Sequence, residues 1–255
     1  KFVNLNFSVF LEKKYGEHLG MHDEEYKNNG AVLYNSAKEV FEKSEIILKV
    51  NCPSGNEINL IKDSSILIGQ FDLVLDKPIL NKLIKKGINI FSLNLLPRIT
   101  RAQSMDVLSS QANLAGYRSV IESVEEFEKA IPMMMTAAGT VTPAKILVIG
   151  AGVAGLQAIA TAKRLGGIVS ATDVRAAAKE QVESLGGKFL SVEGVENLET
   201  EGGYAKEAGE DFKKKQEELL KNSIKKNDIV ICTALIPGKK APRIISEDMV
   251  KSMKS

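Results

Sequence analysis

Cysteine and histidine are scarce in these 255 residues, with two of each. Cys52 and Cys232 lie far apart and match no metal-ligand spacing, so they read as two reduced thiols of a cytosolic protein. His18 and His22 are four apart, but Gly16, Glu17 and Gly20 around them read as loop, and the further ligands a metal needs are missing. Charge of one sign is lacking too: 34 Lys and Arg face 32 Asp and Glu, a formal net charge of +2. The signs are interleaved, which excludes a nucleic-acid or membrane-surface role and makes Phe212-Lys-Lys-Lys-Gln-Glu-Glu218 a solvated helix face. Long apolar runs are absent around the most apolar region: Ile146–Ala162 is uncharged for only seventeen residues and carries three glycines. A spanning helix needs roughly 20 apolar residues, so no membrane insertion is expected of this segment. No signal peptide is visible in the opening Lys1-Phe-Val-Asn-Leu-Asn, which has no initiating Met.

What is present describes a globular α/β protein, 44% hydrophobic and 26% charged, and long enough for two domains. Both ends read as cut: Lys1 starts almost inside an apolar run, and the chain stops within a capped helix at 246–255. The first third predicts strands at 2–10, 31–34, 45–50, 65–70 and 88–93, and helices at 23–29, 36–43, 56–62 and 78–86. Such alternation implies a parallel sheet covered on both faces. From Gln103 to Ala130 the pattern turns helical, with Met105, Leu108, Leu114, Tyr117, Val120, Ile121, Val124 and Phe127 on one face. That helix is expected to join two incomplete Rossmann-like, doubly wound parallel-sheet domains, 1–108 and 109–255. Met133, Met134 and Met135, in the lead-in to the second sheet, read as adaptable packing. The second domain then predicts β 145–149, α 153–165, β 168–173, α 175–185 and β 188–192. A polar insert at 193–204, a charged helix to about 225 and a strand at 228–233 follow. Right-handed crossovers give this sheet the strand order 3-2-1-4.

The densest chemical signal is Lys145-Ile-Leu-Val-Ile-Gly150-Ala-Gly152-Val-Ala-Gly155, with Asp173 twenty-three residues after Gly150. Strand, glycine turn, helix and acid together form the dinucleotide-binding fingerprint with its context intact. Gly150 permits the tight turn, Gly152 lets backbone approach a pyrophosphate, and Gly155 lets the helix pack closely on the strand. The helix N-terminus offers N–H groups and its positive dipole end to phosphates. Asp173, at the end of the second strand, would accept both ribose hydroxyls and repel a 2′-phosphate, which favours NAD; Arg175 nearby is the complication. A helix N-cap on Arg175-Ala-Ala-Ala-Lys is compatible with that role.

Hydride transfer needs a second reactant positioned at the nicotinamide. The candidate rim is Leu95-Leu-Pro97-Arg98-Ile-Thr-Arg101-Ala-Gln103-Ser104-Met105-Asp106, which brings a cation, an amide and a carboxylate to the expected domain junction. Ser104 and Asp106 read equally well as caps of the helix that follows. Five segments occur in order: Pro97–Asp106, Met133–Gly139, Gly150–Gly155, Gly202-Gly-Tyr-Ala-Lys206 and Thr233-Ala-Leu-Ile-Pro-Gly238. Together they make the chain similar, over essentially its whole length, to the NAD(H)-binding domain I of proton-translocating NAD(P) transhydrogenases, in the alpha subunit.

The resemblance implies that this chain binds NAD(H), that a partner domain III binds NADP(H), and that a membrane domain couples hydride transfer to proton movement. Arg98, Gln103 and Asp106 would lie at the nicotinamide, with Gln103, Ser104, Met105 and Asp106 contacting the NAD. Val153 would cover the pyrophosphate, Asp173, Val174 and Arg175 would surround the adenosine ribose, and Ala234 and Leu235 would add further nucleotide contacts. Gly203 and Tyr204 match a loop that closes over the nucleotide. A homodimer on the cytoplasmic side of a bacterial inner membrane, or on the mitochondrial matrix side, is implied as well. Direct transfer between two nicotinamides needs no protein nucleophile, which fits the lack of a Ser/His/Asp or Cys/His constellation. The rival resemblance is to alanine dehydrogenase, whose substrate lysine Lys49 matches. The region of its proton-transferring histidine reads Leu67-Ile-Gly-Gln70-Phe-Asp-Leu here, with no histidine. A non-catalytic NAD-binding module is the remaining alternative.

Overall fold

The computed structural model describes residues 1–72, 76–97, 99–192, 209–235, 241 and 243–254. They form two compact units, Lys1–Met105 and Asp106–Ser255.

In the first unit, strands β1 (Val9–Glu12) and β2 (Ala31–Tyr34) pair in parallel across helix α1 (Asp23–Asn28). Helix α2 (Ala37–Lys43) leads to a separate parallel sheet of β3 (Ile46–Lys49), β4 (Ile66–Gly69) and β5 (Asn89–Ser92), joined by α3 (Gly55–Leu60) and α4 (Lys77–Lys85). The predicted strand 2–10 is shorter than expected. Val3–Leu5 is a 3-10 turn, and Asn6 at φ 64° reverses the chain, a conformation Asn tolerates better than most residues. Phe2 and Phe7 then pack edge to face, so the apolar alternation there reflects a ring contact and not a strand.

Strands β3, β4 and β5 lie in sequence order. With right-handed crossovers that order puts α3 and α4 on the same face. Phe41, Ile47, Ile58, Leu67, Leu80 and Leu83 fill the covered side, while Ile46, Leu48 and Phe91 remain exposed. The expected cover on both faces is therefore absent from the described part of this unit.

The second unit opens with helix α5 (Val107–Phe127), four residues later than predicted, because Asp106 is its N-cap and accepts from Ser109 N–H at 3.0 Å. Its buried stripe is Gly116 and Val120, extended by partly buried Val124 and Phe127. Leu114 and Tyr117, predicted on the inner face, are exposed. A hairpin of β6 (Met134–Thr136) and β7 (Gly139–Val141) follows, with all six residues exposed. Among the described residues the methionine run is therefore not buried: Met133 is 57% and Met135 72% exposed.

The main sheet contains β8 (Lys145–Ile149), β9 (Ile168–Thr172), β10 (Lys188–Phe189) and β11 (Ile229–Cys232) in the order β10-β9-β8-β11, all parallel. This is the predicted 3-2-1-4 arrangement. Helices α6 (Val153–Arg164) and α7 (Ala178–Ser184) cover one face through Ala158, Ile159, Ala162 and Val182, against Ile146, Val148 and Val169. Helix α8 (Glu210–Ile224), with α9 (Glu247–Lys251), covers the other through Leu220, Ile224 and Met249, against Leu147 and Ile149. The residues of β8 thus alternate between two cores, as a strand buried on both faces must. The turn of direction between β10 and β11 places the switch point of the sheet at the carboxyl end of β8.

Candidate functional site

At that switch point β8 passes into the glycine turn. Gly150 adopts φ 95°, the left-handed region that favours glycine, and its N–H donates to the Thr172 carbonyl at 2.8 Å. At Gly155 a Cβ would drive into the Gly150 carbonyl and crowd the Thr233 hydroxyl. Gly152 is the N-cap of α6; a Cβ there would meet no atom within 4 Å, and no side chain caps the helix. Val153, the first helical residue, is exposed. The result is an open helix N-terminus of twelve residues beneath a tight turn.

Two side chains fasten this turn from neighbouring strands. Asp173, just past β9, accepts the Ala151 N–H at 2.7 Å on Oδ2. Thr233, just past β11, donates its hydroxyl to the Gly150 carbonyl at 2.8 Å, while its N–H donates to the Ile149 carbonyl at 2.8 Å. Ala234 follows half-buried and Leu235 exposed at the same edge. Gly116 contributes from α5: a Cβ there would strike the Ala154 backbone, so its absence lets α5 cross directly beside the first turn of α6. The sequence reading places Thr233 at a strand end and in a motif but gives it no role at the turn, and it misses Gly116, whose only signal is one glycine within a helical pattern.

Asp173 does not cap a helix at Arg175, since α7 starts only at Ala178. Its carboxylate instead accepts Arg175 N–H at 2.9 Å, a local Asx turn. The Arg175 guanidinium doubles back onto it, Nε to Oδ1 at 2.9 Å and Nη2 to Oδ2 at 3.0 Å. Burial alone would push the Asp173 carboxyl up, but the Arg175 guanidinium and the N–H groups of Ala151 and Arg175 hold it below its ordinary value. Val174 sits half-buried between the two.

Of the predicted rim, Gln103, Ser104 and Met105 belong to the first unit, all exposed on a 3-10 turn, Thr100–Met105. Ser104 caps nothing; Asp106 alone caps α5, also accepting from the Ser109 hydroxyl at 2.7 Å. Arg98, Gly203, Tyr204 and the insert at 193–204 lie outside the described residues. Lys49 finds an intramolecular partner: its Nζ donates to Glu57 Oε1 at 2.5 Å, both side chains being partly exposed. Cys52 beside it has its thiol pushed up to about 11 by burial and by the Asp76 carboxylate, so it is no ready nucleophile. His22 begins α1, with its N–H on the Glu25 carboxylate. Among the described residues no cluster could hold a metal ion, and no helix is long and apolar enough to cross a membrane.

An order-reversed parallel sheet with a glycine turn at its switch point defines a Rossmann-type α/β protein. The family descriptions that match it are more particular: "Alanine dehydrogenase/PNT, N-terminal domain" over residues 1–115 and "Alanine dehydrogenase/PNT, C-terminal domain" over residues 119–255. The chain is 51% identical over 261 residues to an NAD(P) transhydrogenase subunit alpha polypeptide of Rhodospirillum rubrum, covering 100% of itself and 68% of that protein. The crystal structure of transhydrogenase from Sinorhizobium meliloti superposes with a TM-score of 0.84 at 46% identity, over 99% of this chain and 68% of that one. Identity to an alanine dehydrogenase of Methanococcus maripaludis is 28%, over 99% of this chain and 62% of that protein. The chain belongs to the alanine dehydrogenase/PNT family, among its NAD(P) transhydrogenase alpha subunits.

Proposed function

We propose that this chain is the NAD(H)-binding component of a transhydrogenase and passes a hydride directly from NADH to NADP⁺ held on a partner domain, coupled in the full complex to proton translocation. The observation that carries the reading is the uncapped α6 N-terminus at the switch point, beside a backbone-anchored carboxylate. An open helix start takes phosphate through its N–H groups and dipole; a strand-end carboxylate takes ribose hydroxyls. Gly150, Gly152, Val153 and Gly155 would cradle the pyrophosphate, Asp173, Val174 and Arg175 the adenosine ribose, with Ala234 and Leu235 alongside.

The nicotinamide supplies the hydride chemistry. The protein's work is to align the ring and keep water away, for which Arg98, Gln103, Ser104, Met105 and Asp106 are the proposed residues and Gly203–Tyr204 the proposed cover. NADP(H) belongs to domain III, not to this chain. Lys49 is already engaged by Glu57 and no histidine stands near Gln70 in the sequence, which weighs against an amino-acid dehydrogenase.

The test mixes the protein with a transhydrogenase NADP(H)-binding domain and follows hydride exchange between NADH and an oxidised NADP analogue. Turnover is expected only with both components, and NAD reduction by L-alanine is not expected. Normal NADH binding without exchange would reject the transhydrogenase reading, and L-alanine-dependent reduction would favour the dehydrogenase.

The assembly reading is a homodimer attached to the membrane domain, on the cytoplasmic or matrix side. The exposed β6–β7 hairpin with Met133, Met134, Met135 and Val141 supports self-association, because such contiguous apolar surface commonly marks an interface. Light scattering should give twice the chain mass; a monomer at micromolar concentration would count against it.

A further inference from the structure

The four hydrogen bonds on Asp173 have a consequence for nucleotide choice. A carboxylate offers about four lone-pair directions. Oδ1 accepts from Arg175 N and Arg175 Nε at 2.9 Å each, and Oδ2 accepts from Ala151 N at 2.7 Å and Arg175 Nη2 at 3.0 Å. Every direction is filled, so ribose hydroxyls cannot add to this carboxylate; they must replace something. The two backbone donors are fixed by the turn. The two guanidinium donors sit on a flexible side chain, one on each oxygen, which is the pattern a vicinal diol would need.

We propose that the Asp173–Arg175 pair is an internal lock: the guanidinium occupies the ribose-hydroxyl positions until NAD displaces it, and the same grip withholds Arg175 from a 2′-phosphate. The inference rests on reading the second unit as the NAD(H) site. It deepens that reading by assigning selectivity to a pair and not to the acid alone. The side chains of Arg175 and Asp173 are only 18% and 8% exposed, so the interaction is little screened by water. A guanidinium held bidentately by a carboxylate is neutralised as well as immobilised. A 2′-phosphate would thus meet an anion without a usable cation, although an arginine is two residues away. Removing the acid takes away the bidentate grip on this guanidinium, a group that binds phosphate well.

The test measures NADH and NADPH binding by nicotinamide fluorescence, with thermal melts as the folding control, in Asp173→Asn, Arg175→Gln and the double variant. Asp173→Asn should weaken NADH and strengthen NADPH, each by about tenfold or more, from the loss or gain of one charge-assisted contact. The NADPH gain should vanish in the double variant. Arg175→Gln alone should tighten NADH by about threefold or more, since no charge-assisted contact has to be opened, while NADPH stays excluded. Unchanged NADH binding in a folded Asp173→Asn protein would reject the ribose site itself. A fall in NADH binding with no NADPH gain, or a gain that survives loss of Arg175, would overturn the lock while leaving the site intact. If Asp173→Asn does not fold, Arg175→Gln decides alone: weaker NADH binding overturns the proposal.

Discussion

The two units carry the same strand–turn–helix module at the carboxyl edge of a parallel sheet and finish it differently. In the first, β3 leads through Val50–Ser54 to α3, whose N-terminus is closed from within. Ser54 accepts the Glu57 N–H, Glu57 accepts the Ser54 N–H, and the same carboxylate takes Lys49. In the second, β8 leads through Gly150-Ala151-Gly152 to α6, whose N-terminus has no side-chain cap. The first edge uses its side chains to satisfy its own backbone donors; the second places no side-chain cap on them. Strand order repeats the contrast. Sequence-ordered β3-β4-β5 has no reversal, whereas β10-β9-β8-β11 reverses beside the open helix.

Converting the second edge into the first is the most severe way to break this comparison. Gly152 has φ −75° and ψ −167°, which any residue adopts, and faces open space. Gly152→Asp should supply the missing cap and change stability by only a few tenths of a kcal/mol, since glycine is itself an acceptable N-cap. The same carboxylate should occupy the phosphate cradle and repel the pyrophosphate, cutting NADH affinity by about a hundredfold or more, the scale of two or more charge-assisted contacts. Urea unfolding and NADH titration read the two effects separately. Retained NADH binding in a folded variant would remove α6 from the phosphate site.

A smaller effect is expected at Thr233, which ties β11 to the turn through its hydroxyl on the Gly150 carbonyl. Thr233→Val keeps the shape and loses the bond, for a cost of about 1 kcal/mol. NADH affinity should drop by about tenfold as the turn loosens, while Thr233→Ser, which keeps the hydroxyl, should bind within about threefold of the parent. Equal losses in both variants would mean that the methyl group, not the hydrogen bond, matters.

The sequence showed the second edge more clearly than the first because there the signal is covalent and local. Gly150 and Gly155 each meet a backbone requirement that few other residues satisfy, and four apolar runs separated by helical segments give the strand order once crossovers are right-handed. Misreadings arose where side chains decide. The 2–10 run alternates like a strand, yet Asn6 turns it and two phenylalanine rings close it. Asp106 and Asp173 both read as helix caps; only Asp106 is one, since Arg175 folds back onto Asp173 and α7 starts at Ala178. The methionines read as adaptable packing, but a two-residue turn at Ala137-Ala138 places Met134 and Met135 in a hairpin whose six strand residues are exposed. Thr233 acts through a residue 83 positions away, a distance no local pattern spans.

The smallest effect should come from opening the closed edge. Burial would push the Glu57 carboxyl up, but hydrogen bonds from Lys49 and Ser54 hold it below the usual glutamate range. A carboxyl lowered on folding adds stability that is present above its unfolded value, about 4.3, and that is lost as pH falls through the folded value. Glu57→Gln should accordingly lower the urea midpoint at pH 7 by an amount equivalent to about 1 kcal/mol. That difference should close as the parent is acidified through the lowered folded value, where its own Glu57 becomes neutral. Because this edge satisfies its own donors, NADH affinity at pH 7 should stay within about twofold, well under the 1.4 kcal/mol of a tenfold change. A variant whose stability deficit persisted at low pH would show that Glu57 acts by its shape and not its charge. A tenfold loss of NADH affinity would show that the two edges are coupled, and that Lys49 and Glu57 serve more than their own strand and helix.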